Sequence, residues 1–192
     1  AEGLAQFIKD RGIALVVDAA HPFAARISAD AAEASTRADV PCLRLERPRW
    51  EMDGGDEWTV VPDLPAAVLA IPPDARALVT VGRMEIAAFF ARDDVSILAR
   101  MIERPQEAPP NHVEILLARP PFSLAQELTL MRARAITVLV TKNSGGDATH
   151  GKLEAARELE LPVIMVDRPE KPLMPTAQTV DDLLPMIAER IA

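Results

Sequence analysis

With 192 residues, 49% of them hydrophobic, the chain is long enough to bury one large α/β core or two small ones, and too apolar for disorder. Its 29 acidic against 21 basic residues give a net charge of −8, and aromatics make up only 4%, which speaks against a nucleic-acid partner, because phosphate contacts need a positive face and stacked bases need aromatic rings. The single cysteine, Cys42, excludes an internal disulfide, the three histidines show no metal-ligand spacing, and the longest apolar runs are too short to cross a bilayer, so a soluble, cytoplasmic protein with no metal and no membrane contact is expected.

The chain opens on the helical pattern "EGLAQFIKD", stopped by Gly12. A strand "IALVV" and an alanine-rich helix from about Ala24 to Ala38 follow. Next come a short strand "CLRLE" ending at "RPRW", a turn over "MDGGDE", a strand near "WTVV" and a helix over "LPAAVLA". After Pro72 and Pro73 the alternation restarts with the strand "RALVTVG", a helix over "EIAAFFA" and the strand "VSILARMI". The proline-rich "RPQEAPPNH" reads as a linker. Beyond it lie "VEILLA", the helix "SLAQELTLMRARA", the strand "ITVLVT", the helix "HGKLEAARELE", the strand "PVIMVD" and the helix "VDDLLPMIAERI".

Strands alternating with amphipathic helices predict an α/β fold of two Rossmann-like units with mainly parallel sheets, at residues 1–73 and 74–192. The first unit begins on a helix, without the opening strand and glycine-rich turn of a dinucleotide-binding half, and is expected to lack its first strand.

In open parallel sheets, ligands sit at the carboxyl ends of the strands, where loops and helix N-termini converge. Asp18 and His21 leave "IALVV" at such an end, with Pro22 stiffening the turn. Two readings fit: Asp18 caps a turn and His21 donates to a carbonyl, or His21 binds a ligand or handles a proton. In "VTKNSGGDATHGKLEAA", Lys142, Asn143, Ser144, Gly145 and Gly146 lie between a strand and a helix, where paired glycines can turn their amides toward an anion while Lys142 adds charge. A strand-to-helix connection capped by Asp147 or Thr149 fits as well. Lys142 precedes the glycines, which argues against a nucleotide-hydrolysing phosphate loop.

Gly82 and Arg83 repeat this arrangement after "LVTV". Arg44, Arg47, Arg49 and Trp50 in "LRLERPRW", with Arg168 in "VDRP", offer guanidinium groups and one large aromatic to a planar, carboxylate-bearing ligand, or form a solvated edge with Trp50 packed in the core. No G-x-S-x-G elbow occurs, and Ser144 has no base beside it in sequence.

Taken together, "VVDAAHPFAARIS", "CLRLERPRW", "VTVGR" and above all "VTKNSGGDATHGKLEAARELELPVIMVDRP" resemble the precorrin-6A reductase family of the corrin-ring pathway to cobalamin. The likeness runs through nearly the whole chain in order, with Ala20 where the family typically has threonine. It implies an oxidoreductase that binds NADPH and an anionic tetrapyrrole in a cleft between two α/β domains. A hydride would pass to one ring carbon, and a proton to its neighbour. On that reading His21 and Asp18 line the cleft as catalytic candidates. Lys142 to Gly146, Gly82 and Arg83 hold the cofactor, and Arg44, Arg47, Arg49, Trp50 and Arg168 hold the substrate. The family usually opens with a "GGT"-type loop that precedes the point matching Glu2. Its absence here keeps open a non-catalytic tetrapyrrole- or nucleotide-binding module, and a tetrapyrrole enzyme without redox chemistry remains a further alternative.

Overall fold

The computed structural model describes residues 1–191, which form two compact units: Ala1–Arg49 with the segment from Pro169 onward, and Trp50–Arg168.

In the first unit, β1 (Val16–Asp18), β2 (Cys42–Leu45) and β9 (Thr176–Ala177) pair in parallel in the order β1-β2-β9. Helices α1 (Glu2–Asp10) and α2 (Ala25–Ala38) pack through Ala5, Ile8 and Ala34 beside Val16. Helix α6 (Val180–Ile191) places Leu183 against Leu43 and Ala177. Helix α2 ends at Asp39, whose left-handed φ of 59° turns the chain into β2.

The second unit is a six-stranded, all-parallel sheet. Its strands are β3 (Trp58–Val61), β4 (Arg76–Val79), β5 (Ser96–Met101), β6 (Val113–Leu117), β7 (Val138–Lys142) and β8 (Val163–Val166), in the order β3-β8-β7-β4-β5-β6. The central strands read "VLVTK", "VIMV" and "ALV" because a parallel sheet with covered faces needs apolar side chains on both. Leu78, Leu98, Leu139, Val163 and Met165 join Met131 and Leu153 in its core. Those two come from α4 (Leu124–Ala133) and α5 (Gly151–Glu158). Helix α4 starts at a reciprocal cap of Ser123 and Gln126, and α3 (Leu64–Ala70) at Asp63, which accepts from the Ala66 N–H at 2.8 Å.

Parallel sheets and the alternation of elements match the sequence reading, but the expected boundary at residue 73 does not. "WTVV" pairs with β8 through four register partners, Trp58 with Val163 to Val61 with Val166, so β3 and α3 belong to the second unit. After Arg168 the chain returns to the first unit, where β9 pairs with β2. The proline-rich "RPQEAPPNH" is an internal connection between the neighbouring strands β5 and β6. The helix expected over "EIAAFFA" is a single 3-10 turn, Ile86–Phe89, with Ile86 and Phe89 buried.

Candidate functional site

Asp18 ends β1 and is the register partner of Arg44 in β2, so the parallel pairing itself sets the carboxylate beside the guanidinium. Both are buried. Arg44 Nε donates to Asp18 Oδ2 at 3.1 Å and Nη1 to the carbonyl of Pro172 at 3.1 Å, while Nη2 is buried with no hydrogen-bond partner. Asp18 Oδ1 accepts from the Ala20 N–H at 3.1 Å. Burial works against the Asp18 charge, but the Ser28 hydroxyl, the Ala20 amide and the Arg44 guanidinium outweigh it and hold the carboxyl below its ordinary range. Asp18 is therefore the ionised counter-charge of Arg44, a poor proton donor at neutral pH.

His21, the other half of the expected pair, is exposed. Its Nδ1 accepts from the Phe23 N–H at 3.2 Å, which leaves the neutral ring's proton on Nε2. Asp18 and His21 are thus neighbours in sequence with separate local partners. Arg47 and Arg49, also exposed, follow β2 on the stretch that leads out of the first unit.

In the second unit the strand ends of β4 and β7 are joined. Thr80 Oγ1 donates to Thr141 Oγ1 at 2.9 Å, and Lys142, only 7% exposed, reaches Glu85 Oε2 at 2.5 Å. Gly82 has a φ of 101° on the loop that carries Glu85, and Arg83 pairs with Glu103 at 3.2 Å on the surface.

The residues after Lys142 form a tightly held loop. The Asn143 side chain imitates a backbone partner for Trp50: its Oδ1 accepts from the Trp50 N–H at 2.8 Å and its Nδ2 donates to the Trp50 carbonyl at 2.9 Å. Trp50 Nε1 donates to the Gly146 carbonyl at 3.0 Å. Arg168 Nε donates to the Asn143 carbonyl at 2.9 Å and Nη2 to that of Ser144 at 3.2 Å. Gly145 and Gly146 have φ values of 70° and 80°, left-handed conformations in which a side chain is strained. Trp50 and Arg168, expected against the ligand, are both buried and shape this loop directly.

Two functional candidates escape the sequence reading. Glu85, the partner of Lys142, lies 57 residues before it, and nothing local links the two. Lys152 is 3% exposed, donates from Nζ to the Thr149 carbonyl at 2.8 Å and lies 4.4 Å from the centre of the Trp50 ring. Its signal was in plain view: Gly146, four residues, then Gly151 and Lys152, opening α5 after a strand, has the glycine-to-lysine spacing of a phosphate loop, with Leu153 where that motif has serine or threonine. Gly151, however, is required by packing, since a Cβ there would lie 3.0 Å from the Phe122 carbonyl oxygen and 3.1 Å from the Leu124 nitrogen. Among the described residues no group of three or more histidine, cysteine or acidic side chains is placed to hold a metal, and no helix is long and apolar enough to cross a membrane.

Comparison with known proteins finds matches over nearly the whole chain. The family model "Precorrin-6x reductase CbiJ/CobK" matches residues 1–188. A precorrin-6A reductase of Rhodococcus erythropolis is 44% identical over 98% of this chain and 75% of its own length. A cobalt-precorrin-6A reductase of Priestia megaterium is 30% identical over 88% of this chain and 71% of its own. The solved structure of "CobK precorrin-6A reductase" superposes with a TM-score of 0.93 at 37% identity, covering 100% of this chain and 77% of that one. The α/β, all-parallel architecture and these matches lead to one assignment: the chain belongs to the precorrin-6x reductase CbiJ/CobK family.

Proposed function

We propose that the protein reduces the precorrin-6A macrocycle to its dihydro form with NADPH. The observation that carries this reading is the strand-end loop of the second unit: a buried lysine, Lys142, followed by two left-handed glycines, inside a chain that matches the reductase family from residue 1 to residue 188. Left-handed glycines allow close backbone approach to an anion, and buried cations at strand ends suit phosphate or carboxylate oxygens. The residues present therefore fit a dinucleotide phosphate.

When bound, NADPH supplies the hydride. Lys142, Ser144, Gly145 and Gly146 hold the cofactor, with Gly82 and Arg83 on the neighbouring strand end. Asn143, Trp50 and Arg168 keep that loop in shape. Arg44, Arg47 and Arg49 offer charge to the carboxylates of the macrocycle, and His21, exposed and with its proton on Nε2, is the candidate to donate a hydrogen bond to a bound ligand. Asp18 orients Arg44. The relatives named precorrin-6A reductase reach 44% identity and those named cobalt-precorrin-6A reductase 30%, which supports precorrin-6A as the substrate.

The test is the loss of nicotinamide absorbance when purified protein meets NADPH and precorrin-6A. Consumption in proportion to macrocycle, faster with NADPH than with NADH, is expected. No consumption with either nucleotide overturns the reading. Gly145→Val, which forces a β-branched residue into a φ of 70°, should weaken NADP⁺ binding while leaving the second unit folded.

A further inference from the structure

Arg44 is unusual among the buried cations in that its geometry is unfinished. Its Nε is taken by Asp18 and its Nη1 by the Pro172 carbonyl, while Nη2 is enclosed and has no hydrogen-bond partner. Asp18 does not saturate the guanidinium: it meets Arg44 through one oxygen and gives the other to the Ala20 N–H. The unmatched N–H group lies on β2, one residue before its end in an all-parallel sheet, where open α/β sheets bind their ligands. A buried donor on a charged group calls for an acceptor, and a guanidinium favours an anionic oxygen above a neutral one.

From this we infer that Arg44 is an anion-binding residue of the first unit, with Asp18 fixing the guanidinium plane and Nη2 donating to a carboxylate or phosphate oxygen of a bound ligand. The anion site rests on the reductase reading only for the identity of that ligand, because a macrocycle brings carboxylates and a dinucleotide brings phosphates. The two sources make different demands on the same nitrogen.

The experiment follows the Arg44 guanidinium resonances of the full, nitrogen-15-labelled chain, assigned by their loss in Arg44→Lys, during separate titrations with inorganic phosphate and with acetate at constant ionic strength set by sodium chloride. A saturable shift with phosphate assigns the site to the dinucleotide, and one with acetate assigns it to the macrocycle. A second arm titrates NADP⁺ and precorrin-6A into the parent and into Arg44→Lys, whose ammonium keeps the charge beside Asp18 without the planar fork. The affinity for the ligand of matching chemistry should fall about tenfold, the equivalent of one lost charge-assisted hydrogen bond, with the other ligand unaffected. No saturable shift with either anion, or parent-like affinity for both ligands in a folded Arg44→Lys, overturns the inference. A resonance shift in a protein that binds neither NADP⁺ nor precorrin-6A leaves the anion site standing and removes the reductase reading instead.

Discussion

In each unit of this protein an arginine is buried against a carboxylate, and the two pairs are built differently. In the second unit Arg100 on β5 meets Glu127 on α4 through two bonds of 2.8 Å, with Glu127 completely buried and the guanidinium 4.0 Å from the centre of the Phe122 ring. This is a closed, fork-to-fork pair, its plane stacked on an aromatic. In the first unit Arg44 meets Asp18 through one bond of 3.1 Å and keeps one enclosed nitrogen without a partner. A closed pair fixes a helix to a sheet, whereas an open pair at a strand end is poised to receive something else. Burial of a charge alone does not mark a ligand site; an unmatched buried donor such as Arg44 Nη2 is what calls for an explanation.

The contrast breaks most visibly when one partner is removed. Glu127→Ala leaves Arg100 buried and unpaired, and should lower stability by about 3–5 kcal/mol in denaturant unfolding. The double variant Arg100→Met with Glu127→Leu should recover most of that loss, since apolar residues of similar volume replace the whole pair. Arg44→Met should cost less, about 1–3 kcal/mol, because Asp18 keeps the hydrogen bond from the Ala20 amide. Equal losses for the two would mean that the open pair is as structural as the closed one.

A smaller effect separates the pairs by pH. The folded Asp18 carboxyl titrates below its unfolded value, so its contribution to stability is present above about pH 4 and is lost as pH falls through the folded pKa. Asp18→Asn should therefore flatten the acid limb of a stability-against-pH curve while leaving the limb above neutral pH unchanged. A curve parallel to the parent's below pH 4 would show that Asp18 carries no such linkage. Smallest of all, Arg83→Ala removes an exposed pair with Glu103 and should change stability by at most about 1 kcal/mol. If Arg83 holds cofactor, NADP⁺ affinity falls in that variant with the melting temperature unmoved.

The alternation of strands and helices was legible because buried parallel strands are written as short apolar runs such as "VLV" and "VIMV" between amphipathic helices. The division into units was not. Which sheet a strand joins depends on long-range pairing, and neither "WTVV" nor the two-residue β9 carries a local sign of its partner. At the site, Asp18, Arg44, Lys142 and Asn143 stood out as polar residues at strand ends, yet their partnerships were hidden. Asp18 and Arg44 meet only because β1 and β2 lie parallel in that register, and Glu85 meets Lys142 only because β4 and β7 are neighbours. In sequence Trp50 is a large aromatic beside arginines; the reciprocal clamp with Asn143, 93 residues on, makes it part of the loop. The Gly146-to-Lys152 spacing is readable in the sequence, but Lys142 directly after the strand is the more conspicuous cation.

The most direct measurement of the central claim uses NADPH deuterated at the transferable position of the nicotinamide, with precorrin-6A as acceptor in ordinary water and mass spectrometry of the ring product. The expected product has gained one deuterium from the nucleotide and one hydrogen from solvent, with NADP⁺ formed in equal amount. A ring recovered without deuterium, or nucleotide oxidised without change in the ring, would contradict it.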